Sequence, residues 1–204
     1  MRTTVEASGI VALVAVAAAV GALVYLHVAP TGFSPVRNAV SQYGISPYRA
    51  WYRVMTVSMG VAGATLAVGL GEALRGQGAG VVVALVVAFS VCRLAISWFS
   101  MDEPGTARTA TGATHGLLAV VTFLSAAIAA IRLCRVLDAG TRWQSLAEVS
   151  RGLGWAMVAC FALIFFSRLS PELRRVFGAS ERALYLAILA WLTLFAVACA
   201  TLHA

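Results

Sequence analysis

SGIVALVAVAAAVGALVYLHVA, residues Ser8–Ala29, decides the fold of this chain: 22 consecutive positions without Asp, Glu, Lys or Arg. As a helix rising 1.5 Å per residue it reaches about 33 Å, enough to cross a hydrocarbon core of about 30 Å. It is too long for the apolar region of a signal peptide, so it reads as a retained first span. Five further runs of the same kind follow at Pro47–Leu74, Val81–Met101, Thr114–Leu133, Val149–Ser167 and Ala183–Leu202. A hydrophobic fraction of 61% and a mean hydropathy of +0.89 fit no soluble domain of 204 residues. The expected fold is all-α, a polytopic transmembrane bundle of six helices forming one domain over residues 1–204.

Start and stop signals agree with these spans. Ser46-Pro47 offers a cap followed by proline at the first helical position. Tyr48, Trp51 and Tyr52 then read as rings at headgroup level. Gly76, Gly78 and Gly80 break the chain after the second span, and Pro104-Gly105 after the third. Ser170–Gly178 reads as a short interfacial helix with its own cap and a glycine stop. Trp143 and Trp191 are interface or packing residues. The spacings Gly60/Ala64 and Gly112/Gly116 let helix backbones approach, as ordinary packing within one bundle.

All 15 basic residues are Arg, against 8 acidic residues, giving a net charge of +7. That balance favours membrane lipids with anionic headgroups as partners. The arginines are scattered over short loops, which excludes a nucleic-acid surface. Cys92, Cys134, Cys160 and Cys199 form no CxxC pair and read as small packing residues. Six spans place both termini on one side, here side A. Side B carries the loops Leu26–Ser46, Asp102–Thr111 and Ser170–Arg182. Basic residues fall on both sides, so the positive-inside rule does not set the orientation.

Candidate chemistry lies toward side B. Ser90, Arg93, Ser97 and Ser100 share one face of the third span and lead to Asp102. Arg93 lies about eight residues from the end of that span, roughly 12 Å along the axis, and a guanidinium at that depth requires a partner or must snorkel. The interior, paired arrangement is the favoured one. Asp102 and His115, which opens the fourth span, are the candidate catalytic pair, a carboxylate fixing the tautomer of an imidazole for acid/base work. With His27 they supply at most three metal ligands on one side, and His203 is on the other, so no metal and no cofactor is assigned. Asn38, Ser41 and Gln42 in the first side-B loop either bind a headgroup or satisfy their own turn. Glu181 either complements the start of the last span or pairs with Arg93 or Arg168. Arg93, Arg168 and Glu181 complete the set of candidate ligand-binding residues.

Asn38-Ala-Val-Ser41-Gln42-Tyr43-Gly44, Trp-Phe-Ser-Met-Asp102, Gly112-Ala-Thr-His115 and Gly178-Ala-Ser-Glu181-Arg182 together resemble a bacterial membrane family, domain of unknown function 998. The likeness extends over nearly the whole chain, although Ser100-Met101 stands where that family has Pro-x before the Asp. A looser likeness links the first loop to the Frag1/DRAM-like six-span proteins. The resemblance implies six helices in a bacterial inner membrane, termini in the cytoplasm and the marked loops on the opposite face; it supplies no reaction.

Three functions fit these residues. The first is a binding protein for a lipid or small apolar ligand at the side-B polar rim. The second is a membrane-embedded lipid hydrolase or transferase using Asp102 and His115, and the third a small transporter with Arg93 in its path.

Overall fold

The structure of the chain, a computed structural model, describes residues 2–137, 143–167 and 169–201. Its regular secondary structure among these residues is all helical, with α1 Arg2–Val28, α2 Arg49–Ala73, α3 Gly80–Ile96, α4 Ala110–Leu137, α5 Ala147–Phe166, the short α6 Pro171–Arg174 and α7 Phe177–Thr201. Helices α1, α2, α4, α5 with the turn before it, and α7 are long and apolar enough to cross a membrane. The third run forms an apolar helix of only 17 residues. Packing runs α1 on α2, α2 on α3, α3 on α4, α4 on α5, α5 on α7 and α7 back on α1, closing a ring.

Small residues let these backbones approach, because lipid offers helices no hydrophobic reason to associate and close packing must supply the contact. A Cβ on Gly9 would lie 2.4 Å from the Ala200 nitrogen, which fixes α1 against α7 and puts their outer ends on the same side. A Cβ on Gly60 would lie 2.7 Å from Leu94, so Gly60 serves the packing of α2 on α3, whereas Ala64, its expected partner in that spacing, is exposed. Trp191 and Trp143 are both buried, which settles them as packing residues. The Trp191 indole donates to Ser150 Oγ at 3.0 Å, and Ser150 donates to the Ala130 carbonyl at 2.8 Å. That chain ties α7, α5 and α4 together toward side A.

Toward side B the elements differ from the sequence expectations in two informative ways. Helix α3 ends at Ile96, not Met101, and closes in i→i+3 bonds from Trp98 to Ala95 and from Phe99 to Ile96. Arg93 therefore sits in its last turn, three residues from the end instead of eight. Helix α7 begins at Phe177, six residues before the expected Ala183. Glu181 and Arg182 consequently lie within the helix, and Gly178 is no helix stop. A Cβ on Gly178 would lie 2.4 Å from the Asn38 carbonyl and 2.8 Å from that of Pro35, so its role is to let the first side-B loop rest on α7.

Candidate functional site

The first side-B loop explains its own polar residues. Asn38 Oδ1 accepts the Ser34 N–H at 2.8 Å, and Asn38 Nδ2 donates to Gln42 Oε1 at 3.0 Å. Gln42 Oε1 also accepts the Ala39 N–H at 2.9 Å, closing the start of a 3₁₀ turn over Val40–Ile45. Asn38 and Gln42 are thus engaged in shaping the loop, the turn-satisfying alternative the sequence left open. Ser41 faces elsewhere, into a cavity.

Arg182 fastens that loop to α7. Its Nε donates to His27 Nε2 at 2.6 Å, one terminal nitrogen donates to the carbonyls of Asn38 at 2.7 Å and Gly178 at 3.0 Å, and the other donates to the Tyr43 hydroxyl at 3.2 Å. His27 Nδ1 contacts the Leu23 carbonyl at 2.7 Å. A carbonyl only accepts, so Nδ1 carries the proton and His27 accepts Arg182 as a neutral ring. His27 is therefore a joint between α1 and α7, away from Asp102 and His115. Glu181 reinforces the same docking, its Oε2 accepting the Val40 N–H at 2.6 Å.

Beneath the 3₁₀ turn lies a cavity of about 420 Å³ between α2, α3, α4, α5 and α7. One pole is polar, lined by Ser41, Tyr52, Asp102, Arg108, His115, Glu181 and Tyr185; the wall is apolar, with Phe123, Phe161, Ile164 and Phe177. Val120 and Phe165 line it too and are 38% and 54% exposed on the bundle exterior, so the cavity reaches the lipid-facing surface between α4 and α5. The gap exists because those helices meet closely only toward side A, where a Cβ on Gly154 would lie 2.6 Å from Ile131. Toward side B, a Cβ on Gly116 would meet nothing within 4 Å. The Gly112/Gly116 spacing thus serves no helix approach: Gly116 leaves space in the cavity, and Gly112 makes room for Asp102, whose Oδ2 would lie 2.0 Å from a Cβ there.

The structure brings Ser41, Asp102, His115 and Glu181 to one cavity, as separate groups with separate partners. Asp102 accepts the Thr109 hydroxyl at 2.6 Å and the Thr109 amide at 3.2 Å, while Thr109 Oγ1 accepts the Gly112 N–H at 3.0 Å. Asp102 and Thr109 together cap α4. His115 Nδ1 meets the Phe99 carbonyl at 2.8 Å, so that carbonyl, not Asp102, fixes its tautomer and leaves Nε2 with a free lone pair. His115 in this way satisfies a backbone group released where α3 ends early. Among the described residues no three His, Cys, Asp or Glu side chains converge on a metal position.

Arg93 is fully buried and paired, which removes the snorkelling alternative, although its partners are neutral. It donates to the Tyr185 hydroxyl at 3.0 Å and to Met59 Sδ at 3.1 Å, with its guanidinium 4.9 Å from the Tyr185 ring centre. It stands behind Tyr185 and does not line the cavity. Arg168 lies outside the described residues. The polar face expected along α3 is not continuous, because Ser90 bonds back to Val86 and packs on Gly63 of α2.

The sequence reading missed Tyr52, Tyr185 and Arg108. Tyr52, expected at headgroup level, is buried at the cavity, and its hydroxyl has no partner among the described residues. The exposed ring there is Trp51, 4.4 Å from Tyr25. Tyr185 was detectable in principle, since it falls one helical turn after Glu181 on the same face.

The hydroxyl of Thr109, and then its amide, hold the Asp102 carboxyl below the usual Asp range. These bonds favour the ionised form, so their contribution to the α4 cap is fully present above the ordinary value of about 3.9 and is lost as pH falls through the lower folded-state value. Thr109→Val is expected to lower the melting temperature at neutral pH and to flatten its fall below about pH 4. Identical melting curves for the two proteins across that range would contradict the cap.

Six apolar runs folded into a closed helical ring, with an amphipathic cavity toward one end, define a polytopic helical membrane protein. A family described as a protein of unknown function, DUF998, matches residues 13–198, and the chain belongs to that family. No curated protein and no solved structure matches the chain, and the looser likeness to the Frag1/DRAM-like proteins gains no support.

Proposed function

We propose that the chain binds a membrane amphiphile, the polar end resting among Tyr52, Glu181, His115 and Tyr185 and the apolar part leaving between α4 and α5. The cavity carries this reading, since its volume lies in the usual range for small-molecule sites and its polarity is divided between two poles. The volume suits a headgroup and the start of a chain, with the remainder in the bilayer. With the termini in the cytoplasm, as the family resemblance implies, the polar pole belongs to the opposite leaflet of the cell membrane.

The acid/base reading has one observation in its favour, the free lone pair on His115 Nε2 at the cavity. It lacks an activated nucleophile, and Asp102 is engaged in a helix cap. Transport through Arg93 has less support, because that residue stands behind the cavity wall.

Gly116→Leu tests the binding reading, as the new side chain fills the cavity in an otherwise unobstructed helical position. Native mass spectrometry of protein released from lipid nanodiscs is expected to show a retained lipid on the wild type. The variant should lose that lipid at least about tenfold, with an undiminished melting temperature. Equal lipid retention by both proteins would overturn the proposal.

A further inference from the structure

The headgroup class follows from which polar atoms at the cavity remain available once internal bonds are counted. Glu181 is 5% exposed, and its carboxyl accepts the Val40 amide at 2.6 Å, with the Ser41 amide also directed at it. A carboxylate offers about four acceptor positions, so part of its capacity remains. The ion pairs among the described residues are Glu72–Arg75 and Glu148–Arg151, neither of which involves Glu181. The nearby guanidiniums are turned to other work: Arg182 to His27, Tyr43 and two carbonyls, and Arg93 to Tyr185 and Met59. A buried carboxyl without a cation at contact distance either holds a proton or is stabilised as the anion by a cation that a ligand brings.

Independent features of the same cavity point to a donor-rich cation. His115 presents an acceptor lone pair at Nε2, because its Nδ1 proton is engaged by Phe99. Tyr52 is 97% buried and lines the cavity, and its hydroxyl has no partner among the described residues. Burying a hydroxyl without a partner is unfavourable, and a bound group would complete it. The ring of Phe123, which lines the cavity, adds a π system of the kind that attracts ammonium groups. Arg108, alone among the cavity-lining residues in carrying a fixed positive charge, stands beside Asp102 and suits an anionic group carried by the same headgroup.

Resting on the amphiphile-binding reading above, we infer that the cavity selects an amphiphile whose headgroup carries a primary ammonium next to a phosphodiester. Glu181 is the counter-ion of the ammonium, His115 Nε2 and Tyr52 complete its hydrogen bonds, and Arg108 meets the phosphodiester. A headgroup with hydroxyls in place of the ammonium leaves Glu181 uncompensated and is disfavoured.

The test uses the full chain in nanodiscs of equimolar phosphatidylethanolamine and phosphatidylglycerol with identical acyl chains, with the retained lipid identified by native mass spectrometry. The wild type is expected to retain phosphatidylethanolamine over phosphatidylglycerol by about tenfold, the scale of one charge-assisted hydrogen bond. Glu181→Gln keeps an oxygen for the Val40 amide and is expected to abolish that preference while still retaining lipid. Tyr52→Phe removes a hydroxyl that none of the described residues bonds, so it is expected to fold normally and to lower phosphatidylethanolamine retention several-fold. Retention of both lipids alike by wild type, or an unchanged preference in Glu181→Gln and Tyr52→Phe, overturns the headgroup assignment and leaves cavity binding standing. Lipid retention that Gly116→Leu does not reduce overturns both.

Discussion

Arg182→Ala is expected to lower the stability of the folded bundle by about 3 kcal/mol, the scale of losing more than one hydrogen bond from a charged donor. The four acceptors of Arg182 come from α1, the first side-B loop, the 3₁₀ turn and α7. Its loss leaves the loop held by the Glu181–Val40 bond, the Ala179–Val36 backbone bond and packing on Gly178. Hydrogen exchange should show the amides between 34 and 46 losing protection while those of α4 and α5 keep theirs. Arg182→Lys should recover little, since a single ammonium cannot reach four acceptors arranged around a planar fork. Unchanged protection of the loop in Arg182→Ala would contradict this account of how side B is closed.

Arg93→Ala is the second large expected loss, about 3 kcal/mol, as for other truncations of large, fully buried side chains. The guanidinium fills space between α2 and α7 and gives the Tyr185 hydroxyl its donor. Its neighbours are a phenol and a thioether, so the packed volume matters more than the charge. Arg93→Met should therefore recover most of the loss, because a well-packed apolar replacement for a buried ion is often tolerated. Denaturant titration in detergent micelles of the three proteins measures both effects. A wild-type midpoint for Arg93→Ala would show that the buried guanidinium is no part of the core.

Hydropathy alone located the helices, because a bilayer demands long apolar segments with internally satisfied backbones. It failed where charges are satisfied by partners distant in sequence. Glu181 and Arg182 looked like the boundary of the last span, whereas the Val40 amide and the polar ring around Arg182 draw them into α7. The end of α3 was misplaced by five residues, since nothing local announces that His115, 16 positions on, will satisfy the Phe99 carbonyl. Asp102, His115, Ser41 and Glu181 were legible as polar groups of side B, and the structure places them around one cavity. Their roles were not legible, because an Asp capping a helix and an Asp fixing an imidazole look identical in sequence. Tyr52 was misread for a related reason: two adjacent aromatic rings project about 100° apart on a helix, and only packing tells which one enters the bundle.

The claim that the cavity holds an amphiphile is tested most directly by a lipid carrying a photoreactive diazirine early in one acyl chain, crosslinked in nanodiscs and mapped by peptide mass spectrometry. Labelling is expected to concentrate on α4 around Val120 and Phe123 and on α5 around Phe161 and Ile164, and to fall in Gly116→Leu. Labelling spread evenly over outward positions such as Leu117, Ile128 and Trp155, and indifferent to that substitution, would contradict it.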